Sequence, residues 1–298
     1  MYSKGMRVNM GLRIIYGKPG SGKSEYCFSE IAKLINKEKK IYVITPEQFS
    51  FTAEKKLMSS IKTNAVINAE VITLSRMAYR VLNEIEGNTR TKLSKCGKAM
   101  LIYSILNVNK SNLKFIGKTD ENIELAMTLI TELKKHGIKL EDIEKEIEKI
   151  DDKYLKTKLE DINLIYKEFE NQIQDKYIEE NDVLTILANN IGKTELIKES
   201  IIYIDEFSGF TSQEYEVLKE LIRYAKQVNL TICLDKLEWG KNPNIDIYYS
   251  NKITLKKILE LVEKNNFKLE EPIYLENQYR FKTNELQHLS NNIYNIKS

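Results

Sequence analysis

A short apolar run that ends in a glycine-rich loop and continues into a helix constrains this chain more than any other stretch. Leu12-Arg13-Ile14-Ile15-Tyr16 has the branched, apolar character of a buried strand, and Glu25 to Ile35 carries helical spacing. Between them, Gly17-Lys18-Pro19-Gly20-Ser21-Gly22-Lys23-Ser24 fits G-x-x-x-x-G-K-[ST]. Glycines in such a loop let backbone N–H groups close around phosphates, the lysine reaches the β- and γ-phosphates, and the hydroxyl holds Mg²⁺. The start of the helix adds a field that favours an anion. Strand, phosphate loop and helix in this order predict an α/β fold built on a parallel sheet.

The remaining chain supplies that sheet in two instalments. Ile41 to Ile44 reads as a second buried strand, and Thr45-Pro46-Glu47-Gln48 as a helix start, with Thr45 as N-cap and Gln48 closing a capping box. Ala65 to Ile67 and Glu70 to Leu74 add strand material, and Ser75 is placed to cap a helix over Arg76 to Leu82. From about Leu93 to Ile197 strand character disappears. Apolar residues from Ile143 to Ile173 recur there every three to five residues among Lys and Glu, which predicts amphipathic helices in an inserted helical subdomain. Strand character resumes at Ser200 to Ile204 and ends in Asp205-Glu206, a pattern suited to an aspartate that holds Mg²⁺ and a glutamate that polarises water. Thr211 to Glu214 forms a capping box before a further helix, and Gln227 to Asp235 is another strand. Trp239 to Pro243 marks a loop, Thr254 to Lys264 a helix, and Leu286, Leu289, Ile293 and Ile296 a closing apolar stripe.

Composition narrows the function classes only where residues cluster. The chain of 298 residues is 42% hydrophobic and can build a full core. Its 46 Lys and Arg against 43 Asp and Glu leave +3, too little to mark a nucleic-acid binder without local clustering. Cys27, Cys96 and Cys233 lie far apart, so neither a disulfide framework nor a zinc site is predicted, and His136 and His288 have no partner in sequence. Residues 1–11 form an expected extension without the apolar core of a leader. No run reaches membrane-spanning length, so a soluble, cytoplasmic chain with no membrane partner is expected.

Two pairs of residues are candidates for DNA. Phe49 and Phe51 sit just past the carboxyl end of the second strand, the ligand edge of an open parallel sheet. Either they stack on bases of a single strand or they pack their helix against the sheet. Arg76 and Arg80 are four apart and share a helix face, which either takes DNA phosphates or pairs with glutamates such as Glu84.

These pieces in this order resemble the first motor half of a UvrD-like superfamily I helicase. The phosphate loop matches motif I; Val43 to Gln48 looks like motif Ia; Thr73 to Leu82 looks like the DNA-contacting motif that follows; Asp205-Glu206-Phe207 is similar to motif II. Leu275-Glu276-Asn277-Gln278-Tyr279-Arg280 resembles motif IV. Within that superfamily, Pro46 to Phe51, Leu74 to Ala78 and Tyr203 to Glu214 are most similar to the B-type subunit of the bacterial AddAB-type ATP-dependent helicase/deoxyribonuclease.

The resemblance implies a P-loop NTPase of RecA-like fold that takes ATP and Mg²⁺, binds DNA and pairs with a helicase/nuclease A-type subunit in double-strand break repair. It also implies the site: Gly17, Lys18, Pro19, Gly20, Ser21, Gly22, Lys23 and Ser24 around the phosphates, and Ser24 and Asp205 on the metal. Lys23, Asp205 and Glu206 would act in hydrolysis, with Arg280 approaching the γ-phosphate. The implied division is 12–92 and 198–271 for the ATP-binding domain, 93–197 for the helical insertion, and 272–298 for the start of a truncated second motor domain.

Departures from the family pattern shape the expectation further. The upstream glutamine motif that reads adenine has no obvious place, Leu234-Asp235-Lys236-Leu237 lacks the glutamine of motif III, and motifs V and VI are absent. The nuclease domain and the cysteines of the iron–sulfur cluster are absent too, so the chain reads as an N-terminal fragment of a longer protein. Three readings follow: an ATP-hydrolysing module coupled to DNA, a catalytically weak nucleotide-binding scaffold for DNA recognition and complex assembly, or an unrelated P-loop enzyme. The last needs a basic lid near the loop, which the Lys/Glu-rich insertion does not clearly offer.

Overall fold

The computed structural model describes residues 11–38, 40–61, 68–86, 90–116, 120–174, 176–179, 182–237 and 246–292. The expectations for residues 1–10, for Ala65 to Ile67, for Trp239 to Pro243, and for Ile293 and Ile296 lie outside them. In chain order the elements begin with β1 (Gly11–Gly17), α1 (Lys23–Leu34), β2 (Ile41–Ile44), α2 (Glu47–Ser60), β3 (Ala69–Ile72) and α3 (Leu74–Glu86). Next come β4 (Thr91–Lys92), α4 (Lys95–Val108), α5 (Asp120–Lys135), α6 (Leu140–Lys149), α7 (Lys153–Ile173), β5 (Tyr177–Ile178) and α8 (Val183–Asn190). The last are β6 (Ile201–Ile204), α9 (Ser212–Tyr224), β7 (Gln227–Cys233), α10 (Tyr249–Lys264), β8 (Lys268–Leu269), β9 (Ile273–Tyr274) and α11 (Asn284–Asn292). Two compact units divide them: Met1–Val81 with Asn190–Phe210 and Tyr215–Ser298, and Leu82–Asn189 with Thr211–Glu214.

The first unit is an α/β layer built on a parallel sheet. Its strand order is β3-β2-β6-β7-β1-β8, with β9 also on β1, and these strands pair in parallel. β2 and β6 are buried along their whole length, as their unbroken apolar sequences require of strands covered on both faces. Ile15, Val43, Val71, Ile201 and Tyr203 pack on one face with Cys27, Phe28 and Ile31 of α1 and Ala53 and Leu57 of α2. β1 pairs with β7 over seven residues, while β8 meets it at Gly11 and Leu12 and β9 at Ile15 and Tyr16. Because the strands are parallel, the carboxyl ends of β1, β2, β6 and β7 reach the same edge.

Two helix starts differ from the expectation. α2 begins at Glu47 with Pro46 in the cap position and no side-chain cap, so Thr45 is not its N-cap. The Thr45 N–H donates to the Ile72 carbonyl (3.3 Å), which holds Thr45 in the sheet; its buried hydroxyl has no partner among the described residues. α3 begins at Leu74, and Thr73 Oγ1 accepts the Arg76 N–H at 3.2 Å. The cap therefore lies two residues before Ser75. At α9 the expected box is present: Thr211 N–H donates to Glu214 (2.7 Å) and Glu214 N–H to Thr211 Oγ1 (3.3 Å).

The second unit is mainly helical. Ile102, Ile105 and Leu106 of α4, Ala126 and Ile130 of α5, Ile143 of α6, and Ile162, Ile165 and Phe169 of α7 form its core. β4 and β5 pair in parallel, two residues each, in a region where the sequence shows no strand character; two residues carry no alternation to read. Asp161, 3% exposed, accepts the backbone N–H groups of Lys114 (3.1 Å), Phe115 (2.6 Å) and Ile116 (2.9 Å), closing the turn after α4. Lys134 on α5 lies among Glu170 (2.6 Å), Glu179 (2.7 Å) and Asp182 (2.7 Å), and Lys98 joins the group through Glu179 and Thr131. Those three carboxylates could ligate a metal, but the ammonium of Lys134 already sits within reach of all three. Among the described residues, no helix is long and apolar enough to cross a membrane.

Candidate functional site

A cavity of about 500 Å³ opens in the first unit and takes residues from the loop after β1, the start of α2, and the ends of β6 and β7. The loop reaches it through two left-handed glycines, Gly20 (φ 85°) and Gly22 (φ 82°). A Cβ at Gly20 would collide with Gln278 and Arg280, and one at Gly22 would come within 3.2 Å of the Tyr279 ring. Lys23 opens α1, and its ammonium donates to the Gly17 and Lys18 carbonyls, both at 3.1 Å. Ser24 Oγ donates to Glu206 Oε1 at 3.2 Å.

A polar network under the loop fixes α1 on the sheet. The Arg13 guanidinium donates to Asn229 Oδ1 (2.7 Å) and Glu30 (2.6 Å), and the Tyr26 and Tyr203 hydroxyls also donate to Glu30 (3.1 and 3.3 Å). β1, β6, β7 and α1 thereby share one set of hydrogen bonds. Burial, followed by the Glu30 charge, pushes the Tyr203 phenol well above the usual tyrosine range, so it stays a donor.

Asp205 follows β6 and is 4% exposed. Its N–H donates to the Ile44 carbonyl (3.0 Å), and its Oδ1 accepts the Thr231 hydroxyl at 2.5 Å, which fixes the carboxylate between β2 and β7. Glu206 is exposed and adopts φ 65°, a conformation L side chains rarely take. Such backbone strain recurs at ligand-binding sites. Cys233 and Asn251 also line the cavity, and Asn251 Nδ2 donates to the Cys233 carbonyl at 2.7 Å. Burial raises the Cys233 thiol above its ordinary value, while the charges of Lys23 and Arg280 pull it down.

Arg280 arrives on a segment that leaves β9 and crosses the loop. The Leu275 N–H donates to Tyr16 O (2.8 Å), the Tyr279 N–H to Gly20 O (2.8 Å), and the Gln278 amide to Pro19 O (2.7 Å). The structure therefore brings Lys23, Ser24, Asp205, Glu206 and Arg280 to one cavity. Phe49 lines it as well, whereas Phe51 points away from the core and is 77% exposed. Arg76 and Arg80 do not join it. Arg76 lies 3.7 Å from Glu54, and Arg80 grips Glu70 through two bonds of 2.5 and 2.7 Å.

Thr231, Cys233 and Asn251 carry no motif that marks them in the sequence as site residues. The first two stand two apart near the end of β7, a spacing that puts both on one face, but inside an apolar strand they read as core. Chemically, the arrangement can hold an anion against a hard divalent cation. An ammonium, an arginine and a glycine cradle face two carboxylates and a hydroxyl, in a space within the usual range for small-molecule sites.

Fold and site together define a parallel α/β protein whose glycine loop and acidic pair share one binding cavity. The chain belongs to the family described as "ADDB, N-terminal", whose model matches residues 14–290. It is 43% identical over 297 residues to the B-type subunit of the ATP-dependent helicase/deoxyribonuclease of Clostridium tetani (strain Massachusetts / E88). Proteins of the same name from Clostridium botulinum (strain Loch Maree / Type A3) and Clostridium kluyveri (strain NBRC 12016) are 40% and 38% identical over 296 and 294 residues. Each comparison covers 96% of this chain and 26% of the relative, so the chain spans about a quarter of the length of these proteins.

Proposed function

We propose that the chain binds ATP and Mg²⁺ on a P-loop, RecA-like sheet and is the helicase-like, DNA-binding part of a heterodimeric helicase/deoxyribonuclease. That complex, formed with a helicase/nuclease A-type subunit, acts in the cytoplasm in double-strand break repair and recombination. The observation that carries this reading is the meeting of Lys23, Ser24, Asp205, Glu206 and Arg280 around one cavity, from segments up to 257 residues apart in sequence. The relatives' shared name supports the helicase/deoxyribonuclease context.

Lys23 would exchange the carbonyls of Gly17 and Lys18 for phosphate oxygens, a charge-assisted contact in place of two bonds to neutral acceptors. Ser24 and Asp205 would hold the metal, with Thr231 keeping the carboxylate oriented. Mg²⁺, when bound, supplies positive charge to the phosphate oxygens. Glu206 would hold the attacking water and take its proton, and Arg280 would offset charge from the opposite side. Phe51 would stack on a base of single-stranded DNA.

Equilibrium binding of a fluorescent ATP analogue to the full chain tests this. Lys23→Ala and Asp205→Asn are each expected to weaken it by roughly tenfold to a hundredfold. Unchanged affinity in both variants would remove the basis of the proposal.

Slow turnover is the second reading, favoured by the end of β7. Thr231, Cys233 and Asn251 occupy the cavity there, with no glutamine from Leu234 to Leu237. On this reading the chain binds ATP and turns it over weakly. Robust DNA-stimulated hydrolysis, lost in Lys23→Ala, would rule it out.

A further inference from the structure

Residues between Leu275 and Phe281 have no helix or strand to hold them, yet Arg280 lines the cavity. An arginine on irregular, exposed chain keeps one position only if the chain is anchored close by. Two of the anchors are backbone bonds, Leu275 N–H to Tyr16 O and Tyr279 N–H to Gly20 O, which almost any residues could make. The side chain of Gln278 differs. Its Nε2 donates to Pro19 O of the glycine loop at 2.7 Å, and its Oε1 accepts the N–H of Arg280 at 3.1 Å. One amide therefore binds the loop on one side and the arginine's own backbone on the other. It also fills the space a Cβ at Gly20 would take, so loop and segment are fitted to each other there.

We propose that Gln278 is a positioning residue. Its side-chain amide sets Arg280 against the glycine loop, so that the arginine reads the outermost phosphate of a bound nucleoside triphosphate.

This rests on the reading of the cavity as an ATP site and adds to it which residue couples loop and arginine. Both halves of the amide are needed. Glutamate would keep an acceptor for Arg280 N–H but face Pro19 O with a second acceptor, and methionine would fill the same space with neither function.

The test is a double-mutant cycle on the full chain, with ATP and ADP affinities measured for wild type, Gln278→Met, Arg280→Ala and the double variant. Gln278→Met and Arg280→Ala are each expected to weaken ATP about tenfold and leave ADP within about twofold, with no further loss when combined. A melting temperature within about 2 °C of wild type identifies Gln278→Met as folded. If that variant melts early, Gln278→Glu takes its place in the cycle under the same expectation. Additive losses, or equal weakening of ATP and ADP, would overturn the positioning role. Lys23→Ala separates the two levels: if it leaves both nucleotides bound as before, the ATP site itself is wrong, whatever Gln278 does.

Discussion

Asp161 shows how much one buried carboxylate can organise. It takes three successive N–H groups from Lys114, Phe115 and Ile116, and nothing in the run Asn112-Leu113-Lys114-Phe115 announces that turn. Asp161→Ala leaves three donors without their acceptor, the Ile116 N–H buried and those of the exposed Lys114 and Phe115 partly so, and is expected to cost about 2–4 kcal/mol. Urea unfolding followed by circular dichroism measures it, and a loss under about 1 kcal/mol would show that water replaces the carboxylate. The same contrast runs through the cavity. Lys23, Ser24, Asp205 and Glu206 are legible in the sequence as lining of one cavity because they fall in short motifs of fixed spacing. Thr231, Asn251 and Gln278 are not, because each owes its role to a partner far along the chain: Asp205, Cys233 and Pro19.

Elements are legible where their pattern is long. β1 and β7 run over seven residues with Leu12, Ile14 and Ile15 in one and Val228, Leu230 and Ile232 in the other, β2 and β6 are unbroken apolar runs, and α7 repeats its apolar stripe over 21 residues. β4, β5, β8 and β9 have two residues each and exist only through the strand beside them. The caps at α2 and α3 depart from expectation for a related reason: a threonine at a strand end can serve the sheet or the helix, and only tertiary pairing chooses.

The packing of α5 on α7 makes an alkaline prediction. Burial works against the Lys134 ammonium, but Asp182, Glu179 and Glu170 outweigh it and hold it protonated above the ordinary lysine value of 10.5. Burial also pushes the Tyr166 phenol up to about 12 from 10.0. A group whose folded value is raised gives stability below its unfolded value and loses it as pH rises through the folded one. The helical unit should therefore hold its stability to about pH 10 and lose it above. Urea midpoints from about pH 8 to 11 check this; a flat profile counts against it. On the acid side, burial raises Glu170 and Asp182, whereas the lysines pull Glu179 below its ordinary value against its own burial. These contributions oppose one another, so the acid limb from this cluster is shallow.

At the scale of the whole molecule, the modest net charge conceals a division. The first unit's segments contain 29 of the 46 Lys and Arg and 21 of the 43 Asp and Glu, an excess of eight positive charges. The helical unit's segments contain 17 and 22, an excess of five negative ones. Averaging over the chain hides this, since the unit boundaries are a property of the fold. If the first unit binds single-stranded DNA, affinity should fall steeply with salt as phosphate counterions are released. Phe51→Ala should then weaken binding roughly tenfold at every salt concentration without changing the slope, since a base stacked on a ring releases no ions. Titrations by fluorescence anisotropy between about 50 and 200 mM salt separate the two effects, and a changed slope would remove Phe51 from the base-stacking role.

The left-handed backbone at Glu206 sets fold and chemistry against each other. Glycine is what the peptide geometry there prefers, so Glu206→Gly should leave the chain as stable as before or up to about 1 kcal/mol more so, measurable as a higher melting temperature. The same change deletes the group proposed to accept the proton. Selection for robustness alone would carry this position towards an inert, heat-tolerant relic; the proposed part in turnover is a reason for an acid to keep so awkward a posture.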